Sequence, residues 1–210
     1  MIKKHWKLLL MTSVIILLPI GAGLILWNQL PEQMPIHWNA AGEIDGWSSK
    51  PFAVFGLPLI MLALQWLCLL GTAADPKKAN HSDKILQLVI WITPILSIVL
   101  HILTYAAALG HSVRMEMILP VMVGLILTIV GNYLPKCKQN YTIGIKIPWT
   151  LNNEENWNRT HRFAGWLWTV CGLVLMLSGF VGGAWLFLPA FLLMVLAPVL
   201  YSYLLHRKGM

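Results

Sequence analysis

Charged side chains are scarce in this chain of 210 residues, because they make up only 11% of it while hydrophobic residues make up 58%. A soluble domain is about 25% charged and about 45–50% apolar. A single soluble core therefore cannot bury the apolar side chains present here, and the mean hydropathy of +0.69 leads to the same conclusion. These values exclude a water-soluble enzyme, a secreted module and a disordered tail, and they indicate an integral membrane protein.

Cysteine is also rare: the chain has three, with no C-x-x-C pair among them. This count and spacing exclude a disulfide framework and a zinc ribbon. The sequence contains no H-E-x-x-H, G-x-S-x-G, P-loop or G-x-G-x-x-G motif, the short patterns of several hydrolases and nucleotide-binding enzymes. We therefore expect that the protein is not an enzyme and that it holds no cofactor and no metal.

Six long apolar runs account for the hydropathy. Each is close to the length of about 20 residues that crosses a bilayer as a helix, and a backbone in lipid must satisfy its own hydrogen bonds. The runs cover residues 8–27, 52–71, 85–109, 117–134, 163–180 and 184–205. We predict an all-α integral membrane protein of six transmembrane helices, with three spans in each of two halves, residues 1–110 and 111–210.

The distribution of Lys and Arg predicts the orientation of these spans. The two termini and the loops after the second and fourth runs carry thirteen of the fifteen cationic residues, namely Lys3, Lys4, Lys7, Lys77, Lys78, Lys84, Lys136, Lys138, Lys146, Arg159, Arg162, Arg207 and Lys208. Lys50 and Arg114 lie on the other side. Because cytoplasmic loops are rich in Lys and Arg, we predict that both termini are cytoplasmic. The apolar runs argue against direct binding of nucleic acid. We therefore attribute the net charge of +7 to the Lys and Arg residues that orient the chain in the lipid bilayer.

Within the apolar runs, His101 is the one clearly ionisable residue. An ionisable group inside a membrane is a functional candidate, but a neutral His that bonds to a neighbouring helix is the simpler interpretation. Small residues are the other notable feature of the runs, since such faces let helices approach closely. The fourth span carries Gly124, Thr128 and Gly131, and the fifth carries Gly165, Gly172 and Gly179. We predict that these two spans pack together along these faces.

The predicted outer loop, residues 29–51, is punctuated by proline and glycine and rich in aromatic residues. These features predict a compact, ordered lid. His37, Glu43 and Asp45 are residue types that suit a divalent cation, but a His37 that bonds to the backbone or lies at the headgroup level is the better interpretation. Trp38 and Trp47 either anchor the lid in the membrane interface or contact an external peptide. The candidate ligand-contacting residues of this loop are His37, Trp38, Asn39, Asp45 and Trp47.

The predicted cytoplasmic loop, residues 135–162, is the longest polar stretch. Its alternating residues Ile143, Ile145 and Ile147 predict a short extended segment. Asn152 predicts the cap of a helix that has acidic residues in its first turn. On that helix Trp157 and His161 are four residues apart and share a face. We expect this interfacial helix to lie along the membrane surface and to continue into the fifth span.

Together, the two loops resemble the SdpI family of bacterial multi-pass proteins. The outer loop matches the small P-x-H-W-N…G…D-x-W domain that often precedes the family signature. In the inner loop, the matching positions that we take as candidate binding residues are Asn132, Lys136, Asn140, Gly144, Pro148, Trp149, Trp157, His161 and Arg162.

The resemblance implies a protein of the bacterial cell membrane that gives immunity to a secreted, sporulation-delaying toxin peptide. It further implies a receptor that holds a soluble winged-helix repressor at the membrane. We hypothesise that the toxin is intercepted at the lid near Trp38 and Trp47, and that the inner helix around Trp157, His161 and Arg162 reports this state. The alternative is a small membrane transporter or exporter of a peptide or solute. A weak half-repeat, Asn28–Pro31 against Asn132–Pro135, and the prolines within the runs favour that alternative.

Overall fold

The computed structural model describes residues 2–39 and 41–210, which are mostly helical. The α-helices and strands of this part are α1 (Ile2–Ile25), β1 (Gln33–Trp38), β2 (Ile44–Ser49), α2 (Leu57–Ala73), α3 (Asp83–Ala108), α4 (Met115–Tyr133), α5 (Pro148–Asn152), α6 (Glu154–Ser178) and α7 (Phe187–Arg207). A π-helical segment, Phe52–Gly56, precedes α2 without a break.

The chain divides into two compact units. The N-terminal unit is Met1–Ala73 with Leu86–Met115, and the C-terminal unit is Ala74–Ile85 with Glu116–Met210. The loop between α2 and α3 therefore packs with the C-terminal residues, which the sequence did not indicate.

Five helices of the described residues are long and apolar enough to cross a membrane: Lys4–Ile25, Phe52–Ala73, Asp83–Ala108, Met115–Lys136 and Phe187–Arg207. They correspond to five of the six predicted runs, and they support a multi-pass membrane protein. The predicted fifth span lies in α6, which does not meet this criterion. The reason is that the apolar part of α6 begins only at Phe163 and the helix ends at Ser178, which is shorter than the ~20 residues of a full span.

The expectation of an all-α fold is wrong for the outer loop, although the expectation of an ordered loop is confirmed. Strands β1 and β2 pair as an antiparallel hairpin, in which Gln33 lies opposite Ser49 and Trp38 opposite Ile44. The turn is held by the Asn39 side chain, whose Oδ1 accepts hydrogen bonds from the amides of Ala41 at 2.9 Å and Glu43 at 3.0 Å. Asn favours such local bonds in turns, so this side chain stabilises the turn between the strands.

Buried contacts fix the base of the hairpin in the N-terminal unit. Met34 of β1 and Leu30 are buried together with Ala53, Val54 and Tyr105. Next to this cluster, the buried Lys50 places its Nζ 2.9 Å from a Glu32 carboxylate oxygen and 3.2 Å from the Trp27 carbonyl oxygen. Burying a lysine is costly unless it is paired, and both of these partners satisfy it.

Small residues bring α4 and α6 into direct backbone contact, which confirms the predicted packing. A Cβ on Gly172 would lie 2.6 Å from the carbonyl oxygen of Gly124 and 2.5 Å from Thr128 Oγ1. A Cβ on Gly131 would lie 2.9 Å from the carbonyl oxygen of Gly165. Any larger side chain at these positions would push the two helices apart.

We expect Gly172→Ala to destabilise the protein by about 1–3 kcal/mol, because an added methyl group overpacks a filled contact. The matched control is Gly71→Ala in α2, where an added Cβ meets nothing within 4 Å and helix propensity favours Ala over Gly. Thermal unfolding in detergent measures both changes. Equal unfolding temperatures for the two variants would contradict the close α4–α6 contact.

Candidate functional site

The start of α6 positions the residues of the inner candidate site. Its N-cap is Asn153, whose Oδ1 accepts a hydrogen bond from the Asn156 amide at 2.9 Å. The predicted cap, Asn152, was wrong by one residue because it ends the short helix α5. From Glu154 the helix runs unbroken to Ser178. In the described residues, the segment predicted as an interfacial helix is thus the first turns of α6, and its continuation into the fifth apolar run is confirmed. Its placement along the membrane surface stays a prediction.

Trp157 and His161 form the centre of this site. Trp157 is fully buried, and its ring stacks on that of His161 with centroids 3.9 Å apart and 20° between the planes. The indole Nε1 donates a hydrogen bond to the carbonyl oxygen of Cys137 at 2.7 Å. The shared helix face predicted for these two residues is therefore correct, but the face points into the protein.

The hydrogen bonds of His161 define its protonation state. Nδ1 lies 2.8 Å from the Trp157 carbonyl oxygen, so it carries the hydrogen. Nε2 accepts a hydrogen bond from the Ile145 amide at 2.9 Å, so it has none. The ring is neutral, and burial lowers the pKa of His161 to about 4, against the smaller opposite effect of the Trp157 carbonyl.

Gly144 is the residue that lets the loop reach this ring. Its φ of +121° belongs to a region that favours glycine, and an added Cβ would collide with His161 Nε2 and lie 3.1 Å from the Trp157 ring. Residues 141–144 form bends, and residues 145–147 have no regular secondary structure. The alternation of isoleucines therefore predicted an extended segment that, in the described residues, does not pair with another strand.

Two neighbouring amides organise the rest of the loop. The buried Asn140 accepts hydrogen bonds from the amides of Thr142 and Ile143 and donates to the carbonyls of Lys138 and Ile143. Gln139 donates to the carbonyl oxygen of Thr150 at 2.8 Å. These bonds connect backbone groups within the loop between α4 and α5. Asn140 therefore stabilises the conformation of this loop.

The sequence analysis missed a buried carboxylate, Asp75, whose side chain is fully buried. Its Oδ2 accepts hydrogen bonds from the Tyr141 amide and the Thr142 hydroxyl, both at 2.9 Å, and lies 3.2 Å from His81 Nε2. Burial alone would raise the pKa of Asp75, but hydrogen bonds, of which that from the Lys77 amide is the largest, lower it overall. The Asp-Pro pair at this position indicates a turn. It does not indicate that Asp75 accepts hydrogen bonds from residues that lie 66 and 67 positions later in the chain.

The remaining inner candidates lie at or near the surface. Asn132, Lys136, Pro148 and Arg162 are exposed, and Trp149 is partly buried against the rings of Tyr203 and His206. Thus three of the nine inner candidates, Asn140, Trp157 and His161, are buried, and the half-buried Gly144 packs against the last two.

The exposed Arg162 contributes to an open groove of about 850 Å³. Its lining residues are Glu154, Glu155, Asn158, Arg159, Arg162, Phe163 and Tyr201. Arg159 forms an ion pair with Glu155 at 2.6 Å across one helical turn. The groove is therefore polar at the start of α6 and becomes aromatic where the apolar part of the helix begins.

The hairpin holds the outer candidates. His37 Nδ1 lies 2.5 Å from Asp45 Oδ1, so the expectation that His37 bonds to the backbone is wrong. Glu43 instead accepts a hydrogen bond from Asn39 at 3.1 Å. The described residues contain no group of three His, Cys, Asp or Glu side chains placed to hold a metal ion.

The two tryptophans of the hairpin differ in exposure. Trp47 is 55% exposed, whereas Trp38 is partly buried. Trp47 therefore presents the larger free aromatic surface of the two.

We expect the neutral state of His161 to make the protein less stable in mild acid. The unfolded chain binds this proton at the ordinary histidine pKa of about 6.5, and the folded chain only near 4. Stability is therefore complete above pH ~6.5 and falls by roughly 3 kcal/mol as the pH drops toward 4. Asp75, with its lowered pKa, loses its contribution at still lower pH.

Thermal unfolding of the wild type and of His161→Gln across this pH range measures the effect. The variant is expected to be less stable at neutral pH and to show a smaller loss between pH ~6.5 and ~4. An unchanged pH slope in the variant would show that another group is responsible.

We expect Gly144→Ala to destabilise the inner loop, because the new methyl group meets the His161 ring in a backbone conformation that L residues avoid. The matched control is Gly110→Ala, which has the same kind of positive φ but an open surrounding space. Proteolysis of the two variants in detergent, followed at the loop of residues 137–147, compares them. Equal cleavage rates would contradict a specific role for Gly144.

Comparisons with known proteins match both halves of the chain. Residues 136–202 match the model of the SdpI/YfhL protein family, and residues 14–62 match a domain of unknown function, DUF1648. The chain is 31% identical over 202 residues to the Immunity protein SdpI of Bacillus subtilis (strain 168), which covers 95% of this chain and 96% of that protein. No solved structure matches the chain. The resemblance seen in the sequence is confirmed, and the chain belongs to the SdpI/YfhL family.

Proposed function

We propose that this protein is a multi-pass immunity protein of the bacterial cell membrane that protects the cell from a secreted toxin peptide. The observation that carries the proposal is the similarity to Immunity protein SdpI over nearly the whole of both chains. The five long apolar helices agree with a multi-pass membrane protein.

The proposed arrangement has six spans and cytoplasmic termini. The apolar part of α6 is the fifth of these spans, and the turn after it adds further exposed apolar side chains at Phe180 and Val181. The concentration of Lys and Arg in the inner loops and termini supports this orientation. It places the hairpin outside the cell and the His161 cluster inside.

The hairpin is the proposed site of contact with the toxin. Trp47 offers a rigid aromatic surface, and such residues dominate many binding interfaces. Asp45 on the same strand and His37 on the paired strand add a polar pair that is exposed to solvent. An amphipathic peptide can therefore meet an apolar and a polar group on one small, ordered element.

The inner cluster has a different part in this proposal. His161 is fully buried, so it positions the loop and does not contact a ligand. The groove that contains Arg159 and Arg162 is the accessible surface beside it, and it is where we would place the repressor implied by the resemblance. That receptor role and the alternative of a transporter stay predictions.

We expect Trp47→Ala to reduce protection when the protein is expressed in a strain sensitive to the sporulation-delaying toxin peptide. Removal of a central aromatic contact costs about 2 kcal/mol or more, which corresponds to at least a tenfold loss in affinity. The killing curve measures the effect, with membrane levels of both proteins matched.

Trp185→Ala is the control, because Trp185 is also highly exposed but lies outside the hairpin, after α6. It is expected to protect as the wild type does. Wild-type expression that leaves the killing curve unchanged would contradict the immunity function itself. Full protection by Trp47→Ala would contradict only the role of the hairpin tryptophan.

A further inference from the structure

The two outer edges of the hairpin differ in the backbone groups that they offer. In an antiparallel pair, opposite residues alternate between two types: one type exchanges both backbone hydrogen bonds, and the other points its N–H and C=O groups away from the partner strand. At the base of the hairpin, the Lys50 amide donates to the Glu32 carbonyl oxygen at 2.9 Å, so this pair is of the bonded type. The next pair of opposite residues, Gln33 and Ser49, is therefore of the outward type.

The outer side of β2 is an open strand edge. Two positions further along the hairpin, Trp47 and Pro35 lie opposite each other, and they are again of the outward type. Trp47 therefore points both its N–H and its C=O away from β1, and Ser49 points its N–H in the same direction. Both residues are exposed, and within the described part of the chain these three groups have no hydrogen-bond partner.

The outer side of β1 is closed to a further strand. Pro35 stands where an N–H would point outward, and proline has none. Pro35 is also buried, next to Met34 of the buried cluster at the base of the hairpin. Proline is one of the means by which proteins block an edge strand. The edge of β2 is therefore the accessible one of the two.

The charges of the hairpin indicate which kind of strand fits this edge. Glu32, Glu43 and Asp45 are exposed, whereas the ammonium group of Lys50 is buried and paired with Glu32. Apart from its histidine, the segment of residues 32–50 carries three carboxylates against one ammonium group, a net charge of −2. Two copies of this edge would repel each other, and a cationic segment would be attracted.

We propose that the toxin peptide binds by strand addition: an extended, cationic segment of the peptide pairs with β2 as a third strand of the sheet. Such binding takes its affinity from main-chain hydrogen bonds and its specificity from side chains at alternate positions. The N–H and C=O of Trp47 and the N–H of Ser49 supply the main-chain bonds, and the Trp47 ring packs against the side chain beside it. This mode of binding rests on the proposed function and adds to it the geometry in which the hairpin holds the peptide.

The edge lies at the base of the hairpin, where the pairing is regular. The register shifts fall between Pro35 and Trp38, toward the turn, and the base is fixed by the buried Met34 and Ala53. A preformed edge loses less conformational freedom on binding than a flexible loop does. The added strand is therefore expected to pair with residues 47–49 and not with the turn.

Hydrogen exchange detected by NMR tests the edge directly, on the full chain in lipid nanodiscs with and without the synthetic sporulation-delaying toxin peptide. At saturating peptide we expect the amides of Trp47 and Ser49 to exchange about tenfold more slowly, because each gains a hydrogen bond. The outward amide of Gln33 on β1 should exchange as before. Bound peptide without protection of Trp47 and Ser49, or with equal protection of Gln33, would overturn strand addition at β2.

The same measurement detects a second copy at this edge. Slow exchange of Trp47 and Ser49 before peptide is added, in nanodiscs that hold two copies of the chain and not in those that hold one, would assign the edge to self-association. That result would also overturn the proposal.

Two proline variants test the edge through its outward N–H groups. Ser49→Pro removes an outward N–H without removing a hydrogen bond between the strands, and proline is tolerated at such edge positions. We expect this variant to bind the peptide about tenfold more weakly, because one main-chain bond is lost, and to protect less in the killing assay. The matched control is Gln33→Pro, which makes the same change on the other edge, directly opposite Ser49, and it should bind and protect as the wild type does.

The outcomes separate the binding mode from the immunity function. Wild-type binding by a folded Ser49→Pro, or an equal loss in Gln33→Pro, would overturn strand addition and leave the immunity function intact. A wild-type protein that neither binds the peptide nor changes the killing curve would overturn the immunity function, and strand addition with it. Thermal unfolding in detergent checks the fold of both variants. The exchange measurement uses the wild type, so it decides the proposal even where a proline variant does not fold.

Discussion

The pair of hydrogen bonds on His161 is the interaction on which the inner half of the structure depends. In one bond, Nδ1 donates to the Trp157 carbonyl of its own helix. In the other, Nε2 accepts from the amide of Ile145, which lies in the loop 16 residues earlier. The second bond requires the neutral ring, because Nε2 accepts only when it carries no hydrogen, so a single tautomer joins α6 to the loop. The stacked Trp157 excludes water from this junction, which strengthens each bond because the local dielectric constant is low.

Around this junction, side chains satisfy the hydrogen-bonding groups of the loops. Asp75 accepts hydrogen bonds from the amide of Tyr141 and the hydroxyl of Thr142, and Asn140 accepts one from the amide of Thr142 within the adjoining turn. A loop that is buried in this way must satisfy its backbone groups with side chains, because no helix or sheet does so. The polar residues of this loop are thus mainly structural, while Arg159 and Arg162 remain available at the surface.

The sequence predicted those features that depend on local periodicity. Glycines at seven-residue spacing were sufficient to place the α4–α6 contact, and long apolar runs were sufficient for five spans. The hairpin was missed because two isolated six-residue strands are marginal alone, and this one depends on the burial of Met34 by distant residues. Asp75 was missed for a related reason, since its hydrogen-bond partners lie 66 and 67 residues away and no local sequence pattern predicts them. The Asn152–Asn153 ambiguity is of another kind, because two adjacent residues of the same type are equally good caps.

The unbroken course of α6 has a mechanical consequence. Its 25 residues span about 37 Å, and between Glu154 and Ser178 the helix contains neither proline nor an irregular turn to act as a hinge. Such a segment behaves as a stiff rod. A tilt of ~5° at its membrane end therefore displaces the opposite end by roughly 3 Å, a movement as large as a hydrogen-bond length.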